Sequence, residues 1–167
     1  MIIKVQKFLP LVSLVFSLFL LFSALFTVLS INDQAIMTGL EAIFGGEIAS
    51  IAGFASADVN FSFLNFIAFF LPALLTIGIA IYGMKNQETN TVKSILGIVL
   101  TIVFILSIIL ISTMANNTTA TLSVMGSDTT FSYEGANLAI GSILALIFAI
   151  LGTVSSTLYS VMQFAKK

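Results

Sequence analysis

Four long stretches without a charged residue limit what this chain can fold into. They run from about Leu9 to Ile31, Phe63 to Met84, Ser94 to Met114 and Ala136 to Met162. A helix needs about 20 predominantly apolar residues to cross roughly 30 Å of hydrocarbon, and each stretch meets that length. Strands with open edges cannot face lipid. We therefore predict an all-α membrane protein, a single domain over residues 1–167 with four transmembrane helices in a bundle.

The composition indicates that lipid surrounds the chain, and it excludes most kinds of catalytic and metal-binding site. The chain is 59% hydrophobic and 8% charged, whereas soluble domains carry about 25% charged residues. It contains no cysteine and no histidine, which are common metal ligands, nucleophiles and general bases. The net charge of −1 offers no basic face for nucleic acid. We expect no catalytic residues, no cofactor, no metal and no nucleic-acid partner, so an enzyme is the least favoured class.

Lysine placement predicts the orientation, because cytoplasmic loops collect basic residues. All the lysines lie on one predicted side, and six carboxylates lie on the other, with Glu88 as the exception. The lysines are Lys4, Lys7, Lys85, Lys93, Lys166 and Lys167, and the carboxylates are Asp33, Glu41, Glu47, Asp58, Asp128 and Glu134. This pattern predicts a plasma-membrane protein with both termini and the link 85–93 in the cytoplasm, and with outer segments 32–62 and 115–135. The first apolar run is longer than a signal peptide's core, which favours an uncleaved anchor.

Small residues on the fourth span predict a close helix contact. They recur at steps of three or four and so share one helix face: Gly141, Ala145, Ala149, Gly152 and Ser156. Small residues let membrane helices approach closely. Packing within one bundle is the favoured interpretation, and a seam between copies is the alternative.

Two further features concern shape and charge. Pro72 lies in the middle of the second span and should kink it or loosen it locally. Glu41, Glu47 and Asp58 could gather on the outer side and bind a cation. No ligand spacing typical of a calcium loop is present, so solvated surface charges are the favoured interpretation.

The outer segments carry patterns of their own. Residues 36–44 have helical spacing and are followed by Gly45-Gly46, which predicts an amphipathic helix that ends there. A second short helix is expected over 48–54. Residues 58–63 alternate as a strand does, and the alternative is that the second span starts early. Two Thr-rich runs, 119–125 and 129–133, flank a glycine and predict a β-hairpin that pairs with residues 58–63 to cap the helices.

The layout resembles that of tetraspan proteins, including claudins. Both have internal termini, a longer first outer loop, a shorter second loop and outer strands. The resemblance is one of topology, because the Trp-Gly-Leu-Trp and paired-cysteine signature of claudins cannot occur in a chain without Trp and Cys. It therefore implies no family membership and no function.

Three functions remain open. The favoured one is a structural or interaction role, as an accessory subunit or a homo-oligomeric scaffold whose partners are the bilayer and other membrane proteins or itself. A second is an oligomeric channel or pore with an acidic outer vestibule. A third is an immunity or resistance protein that shields the membrane.

Overall fold

The computed structural model describes the backbone of residues 2–51, 55–85 and 90–165 and the side chains within 9–51, 55–82 and 91–165. It is mostly helical and also contains two antiparallel sheets. The helices are α1 (Ile2–Ser23), α2 (Gly39–Phe44), α3 (Phe63–Lys85), α4 (Asn90–Ser112), α5 (Met114–Asn117) and α6 (Ile140–Phe164). The strands are β1 (Thr27–Ile31), β2 (Gln34–Thr38), β3 (Gly46–Ile51), β4 (Ala55–Val59), β5 (Thr119–Val124), β6 (Ser127–Ser132) and β7 (Asn137–Leu138).

Three helices are long and apolar enough to cross a membrane. Within the part of the chain that the structure describes, the candidate spans are Phe63–Tyr82, Thr91–Ser112 and Ile140–Phe164. The apolar part of α1, Leu9–Ser23, is shorter. The prediction of a first span over 9–31 was wrong at its end, because the helix stops at Ser23 and residues 27–31 form β1 instead.

Pairing with a strand on each side explains why residues 27–31 form β1 instead of continuing α1. Strand β1 lies at the centre of a three-stranded sheet, between β2 and β7. Leu29 pairs with Met37 on one side and with Leu138 on the other. Its backbone groups are therefore satisfied without helical hydrogen bonds. The expectation of an all-α chain is corrected accordingly, since strands occupy much of the chain between the long helices.

The segment after β1 also differs from the predicted helix over 36–44. Residues 34–38 form β2, and the helix starts only at Gly39. Thr38 caps it, since its hydroxyl accepts the Glu41 N–H while the Glu41 carboxylate accepts the Thr38 N–H at 2.7 Å. This reciprocal capping box fixes the helix start. The predicted end at Gly45 is confirmed, because Gly45 has a φ of 77° that favours glycine.

The four long helices pack as a ring in which α1 contacts α3 and α6, and α4 contacts the same two helices. The small residues of α6 lie inside this ring, and all five predicted positions are buried. A Cβ atom on Gly152 would meet the ring of Phe104 on α4, and one on Gly141 would come within 3.0 Å of the Ser23 carbonyl oxygen. The small-residue face therefore packs α6 against α1 and α4 of its own chain.

Hydroxyl groups connect neighbouring helices within the ring. Ser13 on α1 bonds Ser155 on α6 at 2.8 Å, and Ser17 on α1 bonds Thr76 on α3 at 2.7 Å. The α4–α6 pair is joined by Thr101 and Ser156 at 2.9 Å. Each such bond between helices in an apolar surrounding contributes about 0.6 kcal/mol on average, so the set helps to fix how the helices are positioned along one another.

We predict that Gly152→Ala destabilises the helical part by about 1–3 kcal/mol, because the added methyl group must displace the Phe104 ring from a filled interior. Gly78→Ala is the matched control, since Gly78 is also helical but has open space around its Cβ position. Thermal unfolding of the two detergent-solubilised variants measures the difference. Equal melting temperatures would contradict the close α4–α6 contact.

Candidate interaction surface

The four-stranded sheet has strand order β3-β4-β5-β6, so it joins the segment before α3 to the segment after α4. Asp58 pairs with Thr121, and Val59 pairs with Ala120. The predicted hairpin is therefore confirmed as β5 and β6. The predicted strand over 58–63 was wrong in its bounds, because the strand that pairs with the hairpin is β4, which ends at Val59, and α3 begins at Phe63. The short helix expected over 48–54 was wrong for its described part, because residues 46–51 form the edge strand β3.

One face of this sheet is polar and internally hydrogen-bonded. Asn60 donates from its side chain to Thr119 at 3.2 Å and to Thr121 at 3.1 Å. Ser123 donates to Asp128 at 2.6 Å on the neighbouring strand. Cross-strand pairs of this kind fix register, and they place Asp58 and Asp128 on this face.

The other face is apolar, because side chains alternate between the two faces of a strand. The described residues on it carry no charge. Apart from Ser127 and Thr129 of β6, they are apolar: Ala49, Ile51, Ala55, Ala57, Val59, Ala120, Leu122, Val124 and Phe131. Near the helices this face is covered, since Ala120 is fully buried. Toward the hairpin tips it is open, and Ile51 is 68% exposed while Val124 is 44% exposed. The sheet thus presents an uncovered apolar surface away from the helices.

The tip of the β5–β6 hairpin is a two-residue turn. Met125 and Gly126 have φ values of 49° and 83°, as the central residues of a type I′ turn do, and Met125 is 79% exposed. At the other end of the hairpin, Tyr133 lies beside Phe131 with ring centroids 5.7 Å apart. Burial raises the pKa of the Tyr133 hydroxyl above its ordinary value of 10.0, so that hydroxyl is neutral at physiological pH.

Asn65, at the start of α3, connects the sheets to the helices. Its amide donates to the Ala42 carbonyl and to the Thr118 hydroxyl, both at 2.9 Å. The side chain is fully buried, and its Oδ1 has no partner among the described atoms. Ser62 caps the same helix by accepting the Asn65 N–H at 3.3 Å. In the sequence, Asn65 is recognisable only as a polar residue within an apolar stretch, so its role in this contact could not be predicted.

The residues proposed from sequence lie in three separate places. The α6 face lies inside the helix ring, as described above, and Pro72 is buried in α3, where its carbonyl accepts the Thr76 hydroxyl at 2.7 Å. Glu47 and Asp58 are direct partners on β3 and β4, whereas Glu41 belongs to the cap of α2. Within the described residues no group of three such carboxylates is placed to hold a metal ion.

We predict that Asn65→Leu lowers the free energy of unfolding by about 1–3 kcal/mol and weakens the contact between α3 and α2. The reason is that the Ala42 carbonyl loses its donor while remaining buried. Asn116→Leu, at an exposed site in α5, is the control. Hydrogen exchange of residues 39–51 should accelerate in the first variant and stay unchanged in the second. Equal protection in both variants would show that Asn65 does not carry this connection.

Comparison with known proteins finds no relative of this chain. No protein family, no curated protein and no solved structure matches the chain. The two-faced sheet and the closed helix ring are therefore the features on which a functional proposal can rest.

Proposed function

We propose that this chain is a multi-pass plasma-membrane protein with a structural or interaction role, as an accessory subunit or a homo-oligomeric scaffold. All four long helices would cross the bilayer, with both termini inside and the sheets outside. Although its described apolar part is short, α1 has 22 residues, which at 1.5 Å per residue extend about 33 Å.

The observation that carries the proposal is the contrast between a filled helix ring and an uncovered sheet. Leu20, Phe69 and Phe104 come from three different helices and are fully buried. A cavity of about 10 Å³ beside Ser13 and Thr76 has room for about one water molecule. The exposed apolar sheet face serves no packing purpose within the described chain, and surfaces of this kind mark interaction sites.

The alternative of a pore is less favoured for a single chain. Leu20, Phe69 and Phe104 occupy the interior of the ring, and the described parts of the long helices hold only one ionisable side chain that is charged at neutral pH, Lys93 near the start of α4. An ion path would therefore have to form between copies.

The role itself is tested by recovering the tagged full-length chain from native membranes after mild crosslinking. We expect it to be recovered with a second protein or with an untagged copy of itself. The control is a tagged membrane protein of the same size expressed at the same level. Recovery as a monomer without a specific partner would overturn the interaction role.

The four-span topology is tested by cysteine labelling, which the cysteine-free chain makes unambiguous. We expect Asp33→Cys to react with a membrane-impermeant maleimide on intact cells, and Gln6→Cys and Thr91→Cys to react only after permeabilisation. If Gln6→Cys and Asp33→Cys react on the same side, α1 does not cross the membrane. This result would leave three spans and would not bear on the interaction role.

A further inference from the structure

We infer that the edge strand β6 is a self-association site, at which β6 of a second copy continues the four-stranded sheet. The inference rests on the proposed interaction role and specifies its partner. An edge strand presents unpaired N–H and C=O groups that another strand can use. In β6, residues 127–131 are exposed, so nothing in the described chain covers this edge.

The two edges of the sheet differ in how well they could accept a strand. On β3 the register with β4 shifts between Glu47 and Ala49, so Ile48 forms a bulge, which is a common means of blunting an edge. The pairing of β6 with β5 is regular throughout, from Ser127 to Ser132. β6 contains no proline, no lysine and no bulge, and its one charged side chain, Asp128, accepts a hydrogen bond from Ser123 within the sheet at 2.6 Å, so β6 is the less protected edge.

The hydrogen-bonding groups that point outward from β6 can be identified. The type I′ turn joins the Val124 carbonyl to the Ser127 N–H, and the Tyr133 N–H bonds the Thr118 carbonyl at 3.3 Å. Odd-numbered residues of β6 therefore bond to β5. Because the direction alternates along a strand, the backbone groups of Asp128, Thr130 and Ser132 point away from the sheet.

These directions select one symmetric antiparallel register. If Thr130 faces Thr130 of the second copy across a two-fold axis, the outward groups of Asp128 meet those of Ser132 on either side. All three outward residues then exchange hydrogen bonds with the second copy. A shift by one residue would oppose inward-directed groups and would join the apolar face of one copy to the polar face of the other.

The side chains of β6 suit this register. Phe131 lies opposite Thr129 of the second copy on the apolar face, and the two-fold axis makes this aromatic–β-branched pair twice. Asp128 faces Ser132 rather than another carboxylate, so no like charges oppose each other. The apolar faces of the two sheets become one continuous surface of eight strands. Because the pairing is antiparallel, the two helix rings lie at opposite ends of this surface, so two copies in one membrane pair with their strands lying along the membrane surface.

The register is tested with full-length Thr130→Cys in native membranes. Directly opposite Cα atoms in a hydrogen-bonded antiparallel pair lie about 5.5 Å apart, which a disulfide can bridge. We expect oxidation to give a covalent dimer several-fold more abundantly than with Ser50→Cys, the control at the β3 edge. Equal yields from the two variants would indicate random collision and would overturn the inference.

A second variant tests the interaction without a crosslink. Thr130→Pro removes only an outward N–H, so the β5–β6 pairing stays intact while the edge loses a donor. We expect it to abolish recovery of an untagged copy by a tagged one while the melting temperature is retained. Retained self-recovery in a folded Thr130→Pro chain would overturn the inference. Recovery of a different protein, with no untagged copy recovered by the unsubstituted chain, would leave the broader interaction role standing and would show that β6 does not pair with itself.

Discussion

The close approach of α6 to α1 and α4 is the contact on which the helical part depends. An interior without charge offers few specific attractions, and apolar surface alone does not distinguish one helix arrangement from another in a lipid-like surrounding. Gly152 lets Phe104 enter the space beside α6, and Gly141 brings α6 against the end of α1. Hydroxyl pairs such as Ser13 with Ser155 then fix the position of the helices along one another.

The sheets extend this order beyond the helix ends. The β4–β5 pairing connects two segments that belong to different helix pairs, and Asn65 fastens the same region to α2 and to Thr118. The helices and sheets therefore support each other, because the sheet holds the ends of α3 and α4 in place while the helices cover one end of its apolar face. The helices do not cover the hairpin tips, so the apolar face of the sheet is exposed there.

The sequence predicted the second, third and fourth apolar helices and the β5–β6 hairpin, because length and Thr-rich strands around a glycine are strong local signals. The prediction from sequence was wrong at residues 24–31, because an apolar run there fits a helix or a buried strand equally well. One available signal there was Asn32-Asp33, whose positive φ values of 49° and 62° form the turn between β1 and β2, and Asn and Asp favour such turns. The partner of β3 and the burial of Asn65 depend on contacts distant in sequence, which a local pattern does not contain.

The pairing of Val59 with Ala120 has a consequence for how the chain is made. Chains emerge from the ribosome at about 5–20 residues per second, so β4 waits on the order of several seconds before β5 exists. During that interval the β3–β4 hairpin has an open side, and β1 waits longer still for β7. Asp58 places a carboxylate on the waiting strand, a means of discouraging premature association. The order of synthesis therefore leaves the first half of the molecule dependent on the second.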